Sequence, residues 1–343
     1  MHISEFDYEL PEELIAQQPL PQRDASRMLV VDRKQGAWID SKFVNLPDYA
    51  REHDVLVINN TRVFPARLTG RRDSSGGRVE VLLVREIEPS TWEALVRPGH
   101  RLKRGALLIF GEARLRAQLL DGPESGIRRL RFDCEESWEK VLDELGETPL
   151  PPYIRRAARS EDRERYQTLF AREAGAIAAP TAGLHFTPQV FEGIRARGAQ
   201  VVQITLHVGY GTFEPVRVEL IEQHRVAMEQ VEITEEAAQI INECRTRGGR
   251  VIAIGTTTTR ALETATNAEG RLEPVCTNAG LTIVPGYRFR STDVLLTNFH
   301  LPRSSLLLLV CAFGGRNLVL KSYRHAVQQG YRFYSYGDCM LLI

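Results

Sequence analysis

The sequence predicts an α/β main domain interrupted by a small inserted all-β domain, a barrel. Three observations lead there. In residues 1–65 and again in 149–343, apolar β-branched runs alternate with helix-like stretches, the texture of strands packed between helices. Between them, residues 66–148 carry short strand-like runs separated by Gly, Pro and Ser turns about every 8–12 residues. Polar clusters directly follow several main-domain strands, the place where open α/β sheets hold ligands. A chain of 343 residues is long enough for two cores, since single cores stop growing near about 250–300 residues.

In chain order, residues 1–25 read as largely irregular. Pro11-Glu12-Glu13 opens a short helix that Pro19 and Pro21 end. A strand over 28–31 leads to a hairpin turn at Lys34-Gln35-Gly36. The buried strand 54–58 ends in Asn59-Asn60-Thr61-Arg62, four hydrogen-bonding side chains that suit either a ligand site or an Asx-type turn. From Pro65 the runs 79–87, 91–96, 106–110, 114–119 and 127–132 supply the strands of the insert, with no helix signal before 137–145. Residues 146–153 (GETPLPPY) form a Pro-rich linker, and Ser160 caps a helix reaching about Phe170.

Two glycine-rich segments, each with a histidine, then bracket one helix and one strand. Thr187 is a hydroxyl cap, Pro188 fills the first helical position, and Gly198 stops the helix. The strand 199–206 follows, so His185 precedes the helix and His207 follows the strand. In a right-handed crossover those two loops lie on one edge of the sheet and can face one cleft. Farther on come a strand over 230–233, a helix capped by Thr234 and ending near Gly248, and a strand over 251–254. That strand runs into Gly255-Thr256-Thr257-Thr258-Thr259-Arg260, whose backbone amides could hold an anion. The strand 293–296 ends in Thr297-Asn298-Phe299-His300, an apolar helix follows, and 323–329 closes another helix.

Composition excludes several classes. Lys plus Arg and Asp plus Glu are 44 each, which removes a global basic field and leaves only local patches for nucleic acid. Much of the basic charge of the insert sits at Arg71, Arg72, Arg97, His100, Arg101, Lys103, Arg104, Arg114, Arg116, Arg128, Arg129 and Arg131. Five scattered cysteines without a CxxC pair suggest neither a zinc site nor a disulfide framework and fit a reducing cytoplasm. The acidic N-terminus is not a signal peptide, and the longest apolar run, 306–313, is too short for a bilayer. No metal-ligand spacing, Walker pattern or GxGxxG occurs.

Long, unusually composed stretches cover the chain: FDYELPEELIAQQPLPQRDASRML, DVLVINNTRVFPARLTGRR, GETPLPPYIRR, AAPTAGLHFT, LHVGYGTFEPV, HRVAMEQVEI, TNFHLPRSSLLLLVCAF and YRFYSYGDCMLL. Together they closely resemble the S-adenosylmethionine:tRNA ribosyltransferase-isomerase family. The resemblance implies an α/β domain carrying an inserted β-barrel. It also implies transfer and isomerisation of the ribosyl group of S-adenosylmethionine onto a 7-aminomethyl-7-deazaguanine base at the tRNA wobble position, yielding epoxyqueuosine, adenine and methionine. S-adenosylmethionine is then a substrate and no cofactor is needed; the tRNA anticodon stem-loop is the partner, no membrane is involved, and a monomer is expected. One departure from the pattern is residues 277–282, where a more acidic, aromatic stretch is expected before Pro-Gly-Tyr.

Weighed against that chemistry, the base that removes a hydrogen beside the sulfonium is expected among His207, His185, His300 and Asp338, with His207 preferred for its flanking glycines. Substrate contacts are expected from Asn59, Asn60, Arg62, Thr181, Gly183, Gly209, Gly211, Thr212, Glu214, Arg260, Asn298, Tyr334 and Tyr336. Aromatic faces and carboxylates suit the sulfonium. Arg101, Lys103, Arg104, Arg155 and Arg156 are the expected tRNA contacts. Two other readings stand beside this one. An S-adenosylmethionine nucleosidase or methyltransferase is weakened, for the methyltransferase, by the missing glycine-rich loop after the first strand. A non-catalytic RNA-binding protein is weakened by the neutral charge.

Overall fold

The computed structural model describes residues 1–122, 126–213 and 216–343; the side chains of Arg101, Thr212 and Phe213 also lie outside the description. The chain divides into two compact units. Met1–Arg62, Pro152–Arg156 and Gln167–Ile343 form one; Val63–Pro151 and Ala157–Tyr166 form the other.

The first unit is built on a nine-stranded mixed sheet. Its order is Val275–Ala279, Glu229–Ile233, Gln200–Leu206, Val55–Asn59, Val251–Ile254, Val294–Asn298, Cys339–Leu342, Arg27–Asp32, Ala37–Lys42. The strands from Gln200–Leu206 to Val294–Asn298 run parallel. Cys339–Leu342 runs against them and pairs Cys339 with Asn298. The carboxyl ends of the parallel strands and the start of Cys339–Leu342 therefore open on the same edge.

The central strands Val55–Asn59, Val251–Ile254, Val294–Asn298 and Cys339–Leu342 are buried along their whole length, because both faces of the sheet are covered there. Side-chain alternation still decides which residue faces which way. Met28 and Val30 pack with Phe186, Ile194 and Leu296 on one face, while Leu29 and Val31 pack with Leu308, Tyr323 and Phe333 on the other. Helix Pro188–Ala196 starts as its sequence dictates, with Thr187 Oγ1 accepting the Val190 amide at 3.4 Å. Thr234 caps Glu235–Thr246 in the same way, at 3.2 Å from the Ala237 amide. Among the described residues no single helix is long and apolar enough to cross a membrane. The apolar helix Ser305–Gly314 turns by 116° into Arg316–Gln328 and buries Leu307, Leu308 and Val310 in the core.

The second unit is a closed six-stranded antiparallel barrel in the order Arg67–Arg72, Arg78–Glu88, Thr91–Arg97, Arg128–Cys134, Leu115–Leu119, Leu107–Phe110, the last strand pairing back to the first. Both parts of the predicted architecture are thus present.

The structure also departs from the local reading. Arg67–Arg72 (RLTGRR) is too polar to announce a strand, yet barrel closure pairs it on both sides. A Cβ at Gly70 would stand 2.4 Å from Phe110 Cδ1, so only glycine lets that ring lie against the strand. Val275–Ala279 is an exposed edge strand covering half of the 277–282 segment, and Cys339–Leu342 is short and buried. The helix expected from Ser160 to Phe170 is only Asp162–Arg165. Asp162 turns its carboxylate back to the Arg159 amide at 2.8 Å, and Arg163 reaches Asp143 at 3.1 Å, ties that place 157–166 with the barrel. Arg128, one of the basic residues of the insert, is 1% exposed and donates to Asp121, Gly99 C=O and Leu102 C=O.

Candidate functional site

A cleft of about 550 Å³, open to solvent, lies in the first unit where the strand ends converge. Its wall includes Tyr153, Thr181, Thr256, Thr257, Thr297, Asn298, His300 and Tyr334. Three of the predicted segments meet there: the glycine-rich stretch before helix Pro188–Ala196, the start of helix Thr256–Ala265, and the end of strand Val294–Asn298.

His300 is held on several sides. Its Nε2 lies 2.8 Å from Thr297 Oγ1, its amide donates to Tyr323 Oη at 3.2 Å, and its carbonyl accepts from Tyr8. Burial pushes its pKa down from 6.5 to about 3, so the ring is neutral at physiological pH.

Asn298 carries an unfinished group. Its Nδ2 donates to the Tyr334 carbonyl at 3.0 Å and stands 3.4 Å from His185 Nε2. A carbonyl only accepts, so this bond fixes which end of the amide is nitrogen. Among the described residues Oδ1 is left without a hydrogen-bond partner although Asn298 is 2% exposed. An unpaired buried acceptor costs about 1–3 kcal/mol, a loss that a ligand donor would reverse.

Tyr334 adopts φ 72°, a conformation costing on the order of 1–3 kcal/mol for a non-glycine residue. Its amide bond to Phe299 C=O at 3.0 Å and the Asn298 bond hold it there. Its ring lies 3.9 Å, centroid to centroid, from that of Tyr153, whose hydroxyl is 2.5 Å from Ser335 Oγ. Opposite stands the start of helix Thr256–Ala265. Gly255, at φ 98°, caps it with no side chain, and Thr258 and Thr259 turn their hydroxyls back to Ile254 C=O and Gly255 C=O. The first-turn amides are left for other acceptors.

The remaining expected site residues lie elsewhere. His185 is buried behind Asn298, with Nδ1 2.9 Å from Ser26 Oγ, and burial lowers its pKa to about 4. His207 does not line the cleft: its Nδ1 meets Thr61 Oγ1 at 2.8 Å, and Gly175 packs against its ring. Burial lowers its pKa, opposed by Glu173 and Glu232. Asp338 accepts the Arg27 amide at 2.9 Å and the Arg332 amide at 2.8 Å, one on each oxygen, a clamp rather than a free base. Desolvation nonetheless raises its pKa.

Asn59 is spent on Leu206 and Thr61, and Asn60 accepts from Thr205 at 2.8 Å. Arg62 is exposed and Tyr336 buried, and neither lines the cleft. Gly183 gives room to Phe170, whose ring would stand 2.8 Å from a Cβ. Gly209 donates its amide to Glu229 at 3.0 Å. Gly211 and Arg260 line a second cavity. The Thr212 side chain and all of Glu214 fall outside the described residues. Of the expected tRNA contacts, Lys103 and Arg104 are exposed, while the Arg101 side chain is not described. Arg155 is in a bidentate pair with Glu12 at 2.8 and 3.0 Å, and Arg156 donates Nε to Gln17 C=O at 2.9 Å.

Tyr153, Thr256, Thr257 and Thr297 line the cleft without having been singled out as substrate contacts. Tyr153 lies in a Pro-rich linker, where only its aromatic character could have drawn attention. Among the described residues no group of three or more His, Cys, Asp or Glu is placed to hold a metal.

Residues 3–342 match the queuosine biosynthesis protein family. The S-adenosylmethionine:tRNA ribosyltransferase-isomerase of Pelotomaculum thermopropionicum is 51% identical over 344 residues, covering 100% of both chains. The Moorella thermoacetica enzyme of the same name is also 51% identical, with the same coverage. The crystal structure of the S-adenosylmethionine tRNA ribosyltransferase from Thermotoga maritima is similar at a TM-score of 0.56 and 37% identity, over 99% of this chain and 100% of that one.

Proposed function

The chain belongs to the queuosine biosynthesis protein family, and we propose that it is an S-adenosylmethionine:tRNA ribosyltransferase-isomerase. It transfers the ribosyl group of S-adenosylmethionine to a 7-aminomethyl-7-deazaguanine at the wobble position of a tRNA anticodon stem-loop. Isomerisation yields epoxyqueuosine, and adenine and methionine leave. S-adenosylmethionine is consumed, no separate cofactor takes part, and the enzyme works as a monomer in the cytoplasm. The observation that carries the reading is the cleft itself: a buried neutral histidine, an unpaired acceptor and an aromatic pair meet where the strands end.

The sulfonium acidifies the hydrogens on the adjoining ribose carbon, so the reaction starts with a base. His300 fits that part better than His207, because it lines the cleft. Moving the proton turns the sulfonium into a neutral ylide and the imidazole into a cation. The positive charge is relocated, and the buried site gains none. Thr297 orients the ring through the 2.8 Å contact. The Tyr153 and Tyr334 rings offer π faces to the sulfonium. Asn298 Oδ1 accepts from an amine, such as the exocyclic amine of adenine.

The test is incubation with S-adenosylmethionine and tRNA bearing the deazaguanine base, assayed for adenine and modified tRNA. Both products are expected. Adenine released without tRNA would make the protein a nucleosidase, and no adenine under any condition would leave only a binding role.

A further inference from the structure

Beside the cleft, with Leu306 in the wall of both, is a second cavity lined by Gly211, Glu229, Arg260, Thr282 and Ser305. Its charged groups are buried, and one is incomplete. Arg260, 5% exposed, gives Nη1 to Glu229 Oε2 at 2.7 Å and Nε to Leu281 C=O at 3.2 Å, while Nη2 has no partner among the described residues. Glu229, 4% exposed, uses Oε1 for the Gly209 amide at 3.0 Å. A guanidinium nitrogen out of water with no acceptor is expensive, and the expense is removed by a ligand oxygen.

The chemistry of that ligand follows from charge balance. Among the described residues the cavity pairs one cation with one anion, so a group of either single charge would leave it unbalanced. A group with both, an anionic oxygen for Arg260 and a cationic donor for Glu229, keeps it neutral. An α-amino acid zwitterion is such a group. Arg260 follows Thr256 and Thr257 by about one helical turn, roughly 5.4 Å along the axis, so the cavity is within reach of a ligand seated in the cleft.

We propose that this cavity takes the amino-acid end of S-adenosylmethionine, the carboxylate on Arg260 Nη2 and the ammonium toward Glu229, while the nucleoside and sulfonium occupy the cleft. Hydroxyls of Thr282 and Ser305 complete the polar wall; Ser305 Oγ lies 2.8 Å from His224 Nε2. The inference rests on S-adenosylmethionine being the substrate, so the experiment separates the two claims.

Calorimetry compares S-adenosylmethionine, its decarboxylated form and 5′-methylthioadenosine on the whole protein. The decarboxylated form is expected to bind at least about tenfold more weakly, the effect of one lost charge-assisted hydrogen bond. Arg260→Gln combined with Glu229→Gln, which removes both charges together, should bring the two sulfonium ligands to within about threefold while 5′-methylthioadenosine binds as before. Should that variant fail to fold, Arg260→Lys, whose single nitrogen stays with Glu229, should narrow the gap equally. Equal binding of the two sulfonium ligands by the parent would overturn the proposal. So would a gap that survives substitution of Arg260, since it would put the carboxylate elsewhere. If the parent binds none of the three, the substrate itself is wrong.

Discussion

Asn59 and Asn298 each end a parallel strand of the same sheet, one strand apart, and they are 1% and 2% exposed. Near each, a threonine hydroxyl stands 2.8 Å from a histidine nitrogen: Thr61 with His207, Thr297 with His300. The first cluster is closed upon itself. Asn59 donates to Leu206 C=O at 2.9 Å and accepts the Leu206 and Thr61 amides at 3.0 and 3.1 Å, so both ends of its side-chain amide are spent on backbone groups. In the second, Asn298 keeps a free Oδ1 and His300 lines the cleft. Similar residues at similar strand ends thus differ in their bonding. The distinguishing mark is the hydrogen-bond ledger, because a buried polar atom without a protein partner is tolerated where a ligand completes it.

The sharpest way to break this contrast is to exchange the histidines' importance. His300→Gln should lower single-turnover adenine release by about 10²–10⁴, the usual worth of a general base, with S-adenosylmethionine affinity little changed. His207→Gln should cost less than about tenfold. The opposite ranking would return the base to the closed cluster.

The asparagines should differ in kind as well as size. Asn59→Ala orphans the backbone groups of Leu206 and is expected to lower stability in urea unfolding by about 2–4 kcal/mol, with activity per folded molecule retained. Asn298→Ala should instead weaken S-adenosylmethionine binding by about tenfold, read by calorimetry. Equal loss of stability in both variants would erase the distinction.

Acid should expose the same difference. His300 and His185 titrate at about 3 and about 4 when folded, against 6.5 ordinarily. Between those values the unfolded chain binds protons that the folded chain does not. Their contribution is therefore complete above pH 6.5 and falls as pH drops toward 4, each group removing on the order of 1–2 kcal/mol by pH 5. Urea midpoints at pH 7 and pH 5 measure it. His300→Gln should flatten that dependence more than His207→Gln.

The smallest expected effect lies on the surface. Arg155 is already paired with Glu12, whereas Lys103 and Arg104 are exposed and unpaired among the described residues. Lys103→Glu with Arg104→Glu should reduce the salt dependence of tRNA binding by about 0.7–0.9 per lost phosphate contact, and Arg155→Glu should do less. Filter binding across a salt series decides between them.

Local pattern alone determined the two-part architecture, the capped helices at Thr187 and Thr234, most barrel strands, and the strand-end segments that build the site. Those features depend on side-chain periodicity and on caps within a few residues, which a single chain displays directly. Tertiary structure decided what depends on distant partners. Arg67–Arg72 became a strand because barrel closure pairs it on both edges, against its own polarity. Cys339–Leu342 entered the sheet between Val294–Asn298 and Arg27–Asp32, and so set Asp338 as a clamp on the amides of Arg27 and Arg332. Which of His207 and His300 lines the cleft was likewise invisible locally. Both follow strands, and what separates them is which nearby polar atoms remain unbonded once the chain has folded, a property of the whole packing and of no single segment.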